Sequence, residues 1–195
     1  MRYCITGGIG AGKSYVCKKL EGYGIRIYDC DTRAKHLLHT SPALKKALTT
    51  LLGSEAYRPD GTLNKPVVAK YLLASEENKQ RVNAIVHPAV MEDFYRSGMR
   101  WMESAILYEA HLEQYVDKVI AVTAPAETRI HRIMQRDNIT YDMAREWLEK
   151  QADQETVARR ADHIILNDGT ANLDRQIKEL LSALGEPRKP AGSKD

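Results

Sequence analysis

The 195-residue sequence predicts an α/β protein with a five-stranded parallel sheet and helices on both faces, and three observations carry that expectation. A glycine-rich loop, Gly7-Gly8-Ile9-Gly10-Ala11-Gly12-Lys13-Ser14, follows the apolar segment Tyr3-Cys4-Ile5 and leads into a helical pattern. Five short segments read as strands: Arg2–Thr6, Ile25–Tyr28, Ser104–Tyr108, Lys118–Thr123 and His163–Leu166. Helix-period stretches separate them, as strand–helix–strand units require, and the interval from Tyr28 to Ser104 is far longer than a crossover helix needs.

The first strand delivers the loop, whose spacing G-x-x-x-x-G-K-S is that of a phosphate-binding loop. Glycines let the backbone curl so that successive N–H groups point at phosphate oxygens, and a helix opening near Lys13 adds the positive end of its dipole. Lys13 then reaches the β- and γ-phosphates of a nucleoside triphosphate, and the Ser14 hydroxyl is placed to ligate Mg²⁺. The alternative is a strand-to-helix turn that binds nothing. The strand–loop–helix context favours phosphate.

The second strand runs into Asp29-Cys30-Asp31 and a helix over Thr32–Leu38. In the long interval, Ser41-Pro42 starts a helix ending near Gly53, and Arg58-Pro59-Asp60-Gly61 is a turn. Asn64 caps a helix opening at Lys65-Pro66 and reaching Leu73, and Ser75 caps the next, to Val86. His87-Pro88 then breaks the chain and Pro88 begins a further helix. Pro125 opens a helix to about Asp137, and Asn138-Ile139-Thr140 interrupts it. Tyr141 to about Arg160 forms one charged helical piece, weakly held, as a lid would be. After Asn167-Asp168-Gly169 a helix runs from about Asn172 to Gly185. Residues 1–185 thus form one domain, with a helical substrate-binding insertion at about 40–103, a lid at about 137–160, and a disordered tail at 186–195.

A net charge of +3 is too small to indicate nucleic acid, although it suits a polyanionic small molecule. No apolar run approaches membrane-spanning length, and the N-terminus lacks a signal-peptide core. Cys4, Cys17 and Cys30 form no C-x-x-C pair, which points to a reduced, cytoplasmic protein, a monomer or weak homo-oligomer.

Several side chains are candidates for chemistry. Asp29 and Asp31 lie beyond a strand's carboxyl end, where ligands bind in open parallel sheets. Either can serve Mg²⁺ through water or accept a proton; equally, Asp31 caps the next helix and Asp29 is a solvated turn residue. Glu109, read as the end of the third strand, is placed to hold metal-bound water or the acceptor, or is a plain loop acid. Thr6 sits at the exit of the first strand and can bond phosphate. Arg129, Arg132 and Arg136 share one helix face, and Arg136, more than Arg132, suits stabilisation of a transferring phosphoryl group. His87 is either a substrate contact or a packed histidine. Asn167-Asp168-Gly169 is either a plain turn or the place where backbone amides meet an adenine.

These motifs occur in an order that resembles the dephospho-coenzyme A kinase family. T-G-G-I-G-x-G-K-S, D-x-D, the His-Pro, a segment ending x-L-x-E, R-x-x-x-R, Gln151 and A-D-x-I-x-N-x-G follow one another from about Met1 to Gly185. The resemblance implies a three-layer P-loop nucleotide-kinase fold. It also implies ATP-dependent phosphorylation, with Mg²⁺, of the ribose 3′-hydroxyl of dephospho-coenzyme A, the last step of coenzyme A synthesis. Carried over by position, Asp31 matches the general base, and Thr6, Lys13 and Arg136 match active-site residues. Gly8, Gly10, Ala11, Gly12, Lys13, Ser14 and Tyr15 match the ATP loop, with Arg132 beside it, and Asn167 with Gly169 match the adenine side. Asp31, His87 and Glu109 are then the substrate contacts. The chain departs from the family pattern at Tyr15, where a small hydroxyl residue is usual, at Ala105 for a proline, and at Lys65 for an arginine. Another small-molecule kinase of the same fold is the nearest rival. A guanine-nucleotide switch is disfavoured, because the Asn64-Lys65 pair continues Pro66-Val67 and not as N-K-x-D.

Overall fold

The computed structural model describes residues 1–186, and the expected disordered tail lies outside them apart from Glu186. Glu186 itself is held: its amide donates to the Leu181 carbonyl, and its carboxylate pairs with Arg100. The chain forms two compact units, Met1–Tyr28 with Met99–Asp195, and Asp29–Gly98.

The first unit carries a five-stranded parallel sheet in the order β2-β3-β1-β4-β5. The strands are β1 (Tyr3–Thr6), β2 (Ile27–Asp29), β3 (Trp101–Glu103), β4 (Lys118–Thr123) and β5 (His163–Leu166). Central β1 is buried along its whole length, which is why its sequence is a continuous apolar run and does not alternate. Helices α1 (Lys13–Glu21) and α9 (Leu173–Leu184) pack Val16, Leu20, Ile177 and Leu181 against Ile5, Ile120 and Ile165 of the sheet. At edge strand β5 the Gln176 amide pairs with both backbone groups of Leu166, at 2.8 and 2.9 Å, which occupies a position where another strand would bond.

Two expectations for this unit are corrected. The third strand is Trp101–Glu103, not Ser104–Tyr108. The Ser104 amide makes the last ladder contact, to the Ile5 carbonyl, and Ala105–His111 then coils into turns closed by bonds such as Leu112 N–H to Leu107 O. Leu107 and Tyr108 are buried as a strand's residues would be, and a short apolar run does not reveal which backbone buries it. The helical piece expected over Tyr141 to about Arg160 is two helices, α7 (Tyr141–Glu149) and α8 (Gln154–Arg160), because Asp153 accepts from the Thr156 amide and hydroxyl and starts a new helix. Helix α7 is anchored on α6 (Ala126–Asp137): Ala144, Trp147 and Leu148 pack with Ile130, Ile133 and Met134.

The second unit is helical: α2 (Cys30–Thr40), α3 (Pro42–Leu52), α4 (Lys65–Ala74) and α5 (Glu76–Arg96). Ser41 and Ser75 cap α3 and α5 as expected, whereas Asn64 occupies the cap position of α4 without a side-chain bond. Pro88 does not break the chain; α5 runs through it. A proline inside a helix costs roughly 3 kcal/mol. Val82 before it and Val90, Met91 and Phe94 after it are all buried, each contributing about 1.5–3 kcal/mol, so packing outweighs the lost bond. A two-pronged pair from Arg33 to Asp93, at 2.8 and 2.9 Å, ties α2 to α5.

Candidate active site

Thr6 ends β1, buried and paired in register with Ala121, and the glycine loop begins directly after it. The loop closes at Gly12, whose φ of 89° lies in the left-handed region, so a glycine starts α1 without a side-chain cap. Among the described residues, the amides of Gly10, Gly12 and Ser14 have no protein acceptor, and they ring the positive end of the α1 dipole. Lys13 arches back over the loop, donating to the carbonyl of Gly7 at 2.8 Å and of Gly8 at 3.4 Å. The Ser14 side chain is exposed beside it.

The loop is gripped from behind by groups distant in sequence. Arg129, on α6, is buried and donates Nε–H to the Ile9 carbonyl at 2.9 Å. Burial pulls its pKa below the usual arginine value, with Asp153 partly opposing. A Cβ on Gly8 would lie 2.2 Å from its guanidinium, so a larger residue there would have to displace Arg129. Arg132, one turn on, donates to the carbonyls of Gly10 and Ala11 at 3.3 and 3.4 Å. Buried Asn167, just past β5, donates its side-chain amide to Ala11 O at 2.9 Å, where a Cβ on Gly12 would collide. Gln151, between α7 and α8, accepts from Ile9 N–H at 2.7 Å.

A cleft of about 680 Å³ opens from Gly12, lined by Tyr15, Lys19, Arg132, Asn167, Gly169 and the start of α9. Such a volume is ordinary for a small-molecule site. Of the turn that follows Asn167, the amides of Thr170 and Ala171 are already donated to the Asp168 carboxylate, which those bonds hold below its usual pKa. They are therefore not available to a base edge.

The true end of β3 brings Glu103 into the picture, and Glu109 lies in the turns beyond it, exposed. Glu103 reaches the first turns of α1: burial foremost, then its carboxylate, pushes the Cys17 thiol pKa well up, with Lys13 opposing. Arg136, the last of the three arginines, points instead to Asp137, bonded at 2.7–3.1 Å on the surface. The structure thus sets Arg132 and Arg129 against the loop, not Arg136. Glu103 is not among the residues the sequence singles out, and the spacing of Arg129, Arg132 and Arg136 does not show which of them faces the glycine loop.

In the second unit, Asp29 caps α2 by accepting from Thr32 N–H at 2.9 Å and Thr32 Oγ–H at 2.7 Å. Asp31 is not the cap; it stands exposed in the first turn of α2, and a capping Asp29 is compatible with Asp31 acting as base. His87 is half-buried in α5, and its pKa is lowered by burial.

A family model described as dephospho-CoA kinase matches residues 2–172. Dephospho-CoA kinases of Bacteroides fragilis and Salinibacter ruber are 38% and 36% identical to the chain; the alignments cover 92% of it in both cases, and 91% and 96% of the relatives. A crystal structure from Thermus thermophilus superposes with a TM-score of 0.77 at 27% identity, covering 94% of this chain and 97% of that one. Shikimate kinase from Acinetobacter baumannii, at 16% identity, TM-score 0.53 and 94% and 93% coverage, shares the fold.

Proposed function

The chain belongs to the dephospho-CoA kinase family, and we propose that its phosphate loop holds ATP while Asp31 aims the ribose 3′-hydroxyl of dephospho-coenzyme A at the γ-phosphorus. One observation carries the donor half of this reading. The loop's unpartnered amides are held in place by Arg129, Arg132 and Asn167, and a cleft of nucleoside size begins where the loop ends.

The residues then divide the work. Lys13 leaves the Gly7 carbonyl for the β- and γ-phosphates, and Thr6 bonds phosphate at the exit of β1. Arg132 meets the triphosphate from α6, and Arg136 leaves Asp137 to spread charge on the transferring group. Asp31 accepts or orients the acceptor proton, late in a loose transition state, while the lid at about 137–160 closes and excludes water from the phosphoryl group. His87 and Glu109 contact the acceptor. Mg²⁺ neutralises the charge of the β- and γ-phosphates when it is bound with ATP. The Ser14 hydroxyl would ligate it and Asp29 or Asp31 would hold its water, an all-oxygen donor set that suits this hard ion.

No helix among the described residues is long and apolar enough to cross a membrane. Cys4, Cys17 and Cys30 are buried and in no disulfide, which supports work in the reducing cytoplasm; we take the chain to be a monomer or weak homo-oligomer. The test is ADP formation from ATP with dephospho-coenzyme A, shikimate, deoxyadenosine or AMP as acceptor, followed by locating the new phosphate. Rapid turnover with dephospho-coenzyme A alone, phosphorylated at the ribose 3′ position, is expected. Faster turnover with any of the others would overturn the acceptor assignment.

A further inference from the structure

The cleft beyond the loop has one aromatic lining residue, Tyr15, in the first turn of α1. Its side chain does not serve the core: the residue is 54% exposed, one of few large apolar groups left so open. Nor is it loose. The Lys19 ammonium, one turn further along the same helix, sits 5.4 Å from the ring centroid, within cation–π range. Lys19 is fixed in turn by an ion pair at 2.7 Å with Asp174, in the first turn of α9 and on the rim of the same cleft. Tyr15, Lys19 and Asp174 therefore form a connected wall from α1 to α9. The wall begins three residues after Gly12, where the phosphate-binding amides lie.

From this arrangement we propose that Tyr15 is the stacking surface for the base of the donor nucleotide, with the Lys19–Asp174 pair setting the tilt of its ring. This rests on the reading of the loop as the ATP site and adds what that reading leaves open, namely which side chain recognises the flat end of the nucleotide. The loop itself sees only phosphate, so affinity for a nucleotide above that for bare triphosphate must come from the cleft. The other large apolar group there is Leu173, and the remaining wall is polar or backbone. An aromatic ring with a heterocycle on its face contributes enough to change affinity roughly 5- to 100-fold. The phenol hydroxyl plays no part in such a contact.

Calorimetric titration of the full chain with ATP and with inorganic tripolyphosphate separates the two ends of the ligand. For Tyr15→Ser the preference for ATP over tripolyphosphate is expected to fall roughly 5- to 100-fold. Tripolyphosphate affinity itself should stay as in the unmodified chain, which also reports that the loop is intact. Tyr15→Phe should keep the full preference. Lys19→Met should lower it by a smaller factor, because the ring stays and only its support is lost. An unchanged preference in Tyr15→Ser would overturn the proposal, as would an equal loss of tripolyphosphate binding, which would make Tyr15 a support of the loop. If the unmodified chain bound neither ligand, the ATP site itself would be misplaced and this proposal would fall with it, a result distinct from the others.

Discussion

The side-chain amide of Asn167 donates to the carbonyl of Ala11 across 2.9 Å, joining the end of β5 to the phosphate loop 156 residues away. Both groups are buried, so removing either leaves the other without water. Asn167→Ala is expected to cost about 1–3 kcal/mol of stability. Because Ala11 sits between Gly10 and Gly12, whose amides we propose bind phosphate, the KM for ATP should rise more than the KM for the acceptor. Urea unfolding and initial rates against each substrate check both parts; equal rises in the two KM values would contradict the role given to the contact.

Arg129 does for the front of the loop what Asn167 does for its end. Its guanidinium lies where a side chain on Gly8 would be, and it is buried. Arg129→Met keeps volume but strands the Ile9 carbonyl, at about 1–3 kcal/mol. Thermal unfolding should fall by several degrees. Arg129→Lys should not restore it, since a point charge lacks the planar fork. Full rescue by lysine would show that charge alone matters.

How the loop is built divides what was legible in the sequence from what was not. The strand–loop–helix at residues 3–21 was legible because its requirements are local: glycine where φ is positive or a neighbour presses close, lysine and serine at fixed offsets. The caps Ser41 and Ser75 are local in the same way. The position of β3 was not legible, because Leu107 and Tyr108 are buried whether the chain there continues a ladder or coils into turns. Pro88 misled because its penalty is local, whereas the packing of Val90, Met91 and Phe94 that outweighs it is tertiary. Arg129 and Arg136 are indistinguishable by type. Only the packing of α6 beside the glycine loop buries one and leaves the other paired with Asp137.

That pairing has a small energetic weight. Arg136 and Asp137 are neighbours on the surface, where solvent screens such a pair to little net worth. Asp137→Asn should therefore change kcat by less than about fivefold. Arg136→Met should lower kcat roughly 100-fold if the side chain meets the transferring group. Steady-state kinetics of the two variants decide it: similar small effects would leave Arg136 a surface residue.

Burial lowers the His87 pKa from its usual 6.5. The unfolded chain then takes up a proton at a pH where the folded chain still refuses one. Stability associated with neutral His87 is complete above about 6.5 and is lost as the pH falls from there through the lower folded value. His87→Gln should flatten the fall in urea midpoint between pH 7 and pH 5. Identical slopes for the two proteins would contradict the assignment.

The central claim, that one carboxylate acts on the acceptor while a separate loop holds the donor, is tested most directly by Asp31→Asn. Turnover with dephospho-coenzyme A should fall roughly 10²- to 10⁴-fold. The Kd for ATP, measured by calorimetry on the same preparation, should stay within about twofold of the unmodified chain, since Asp31 makes no contact with the donor in this account. Unchanged turnover, or a loss of ATP binding as large as the loss of rate, would contradict it.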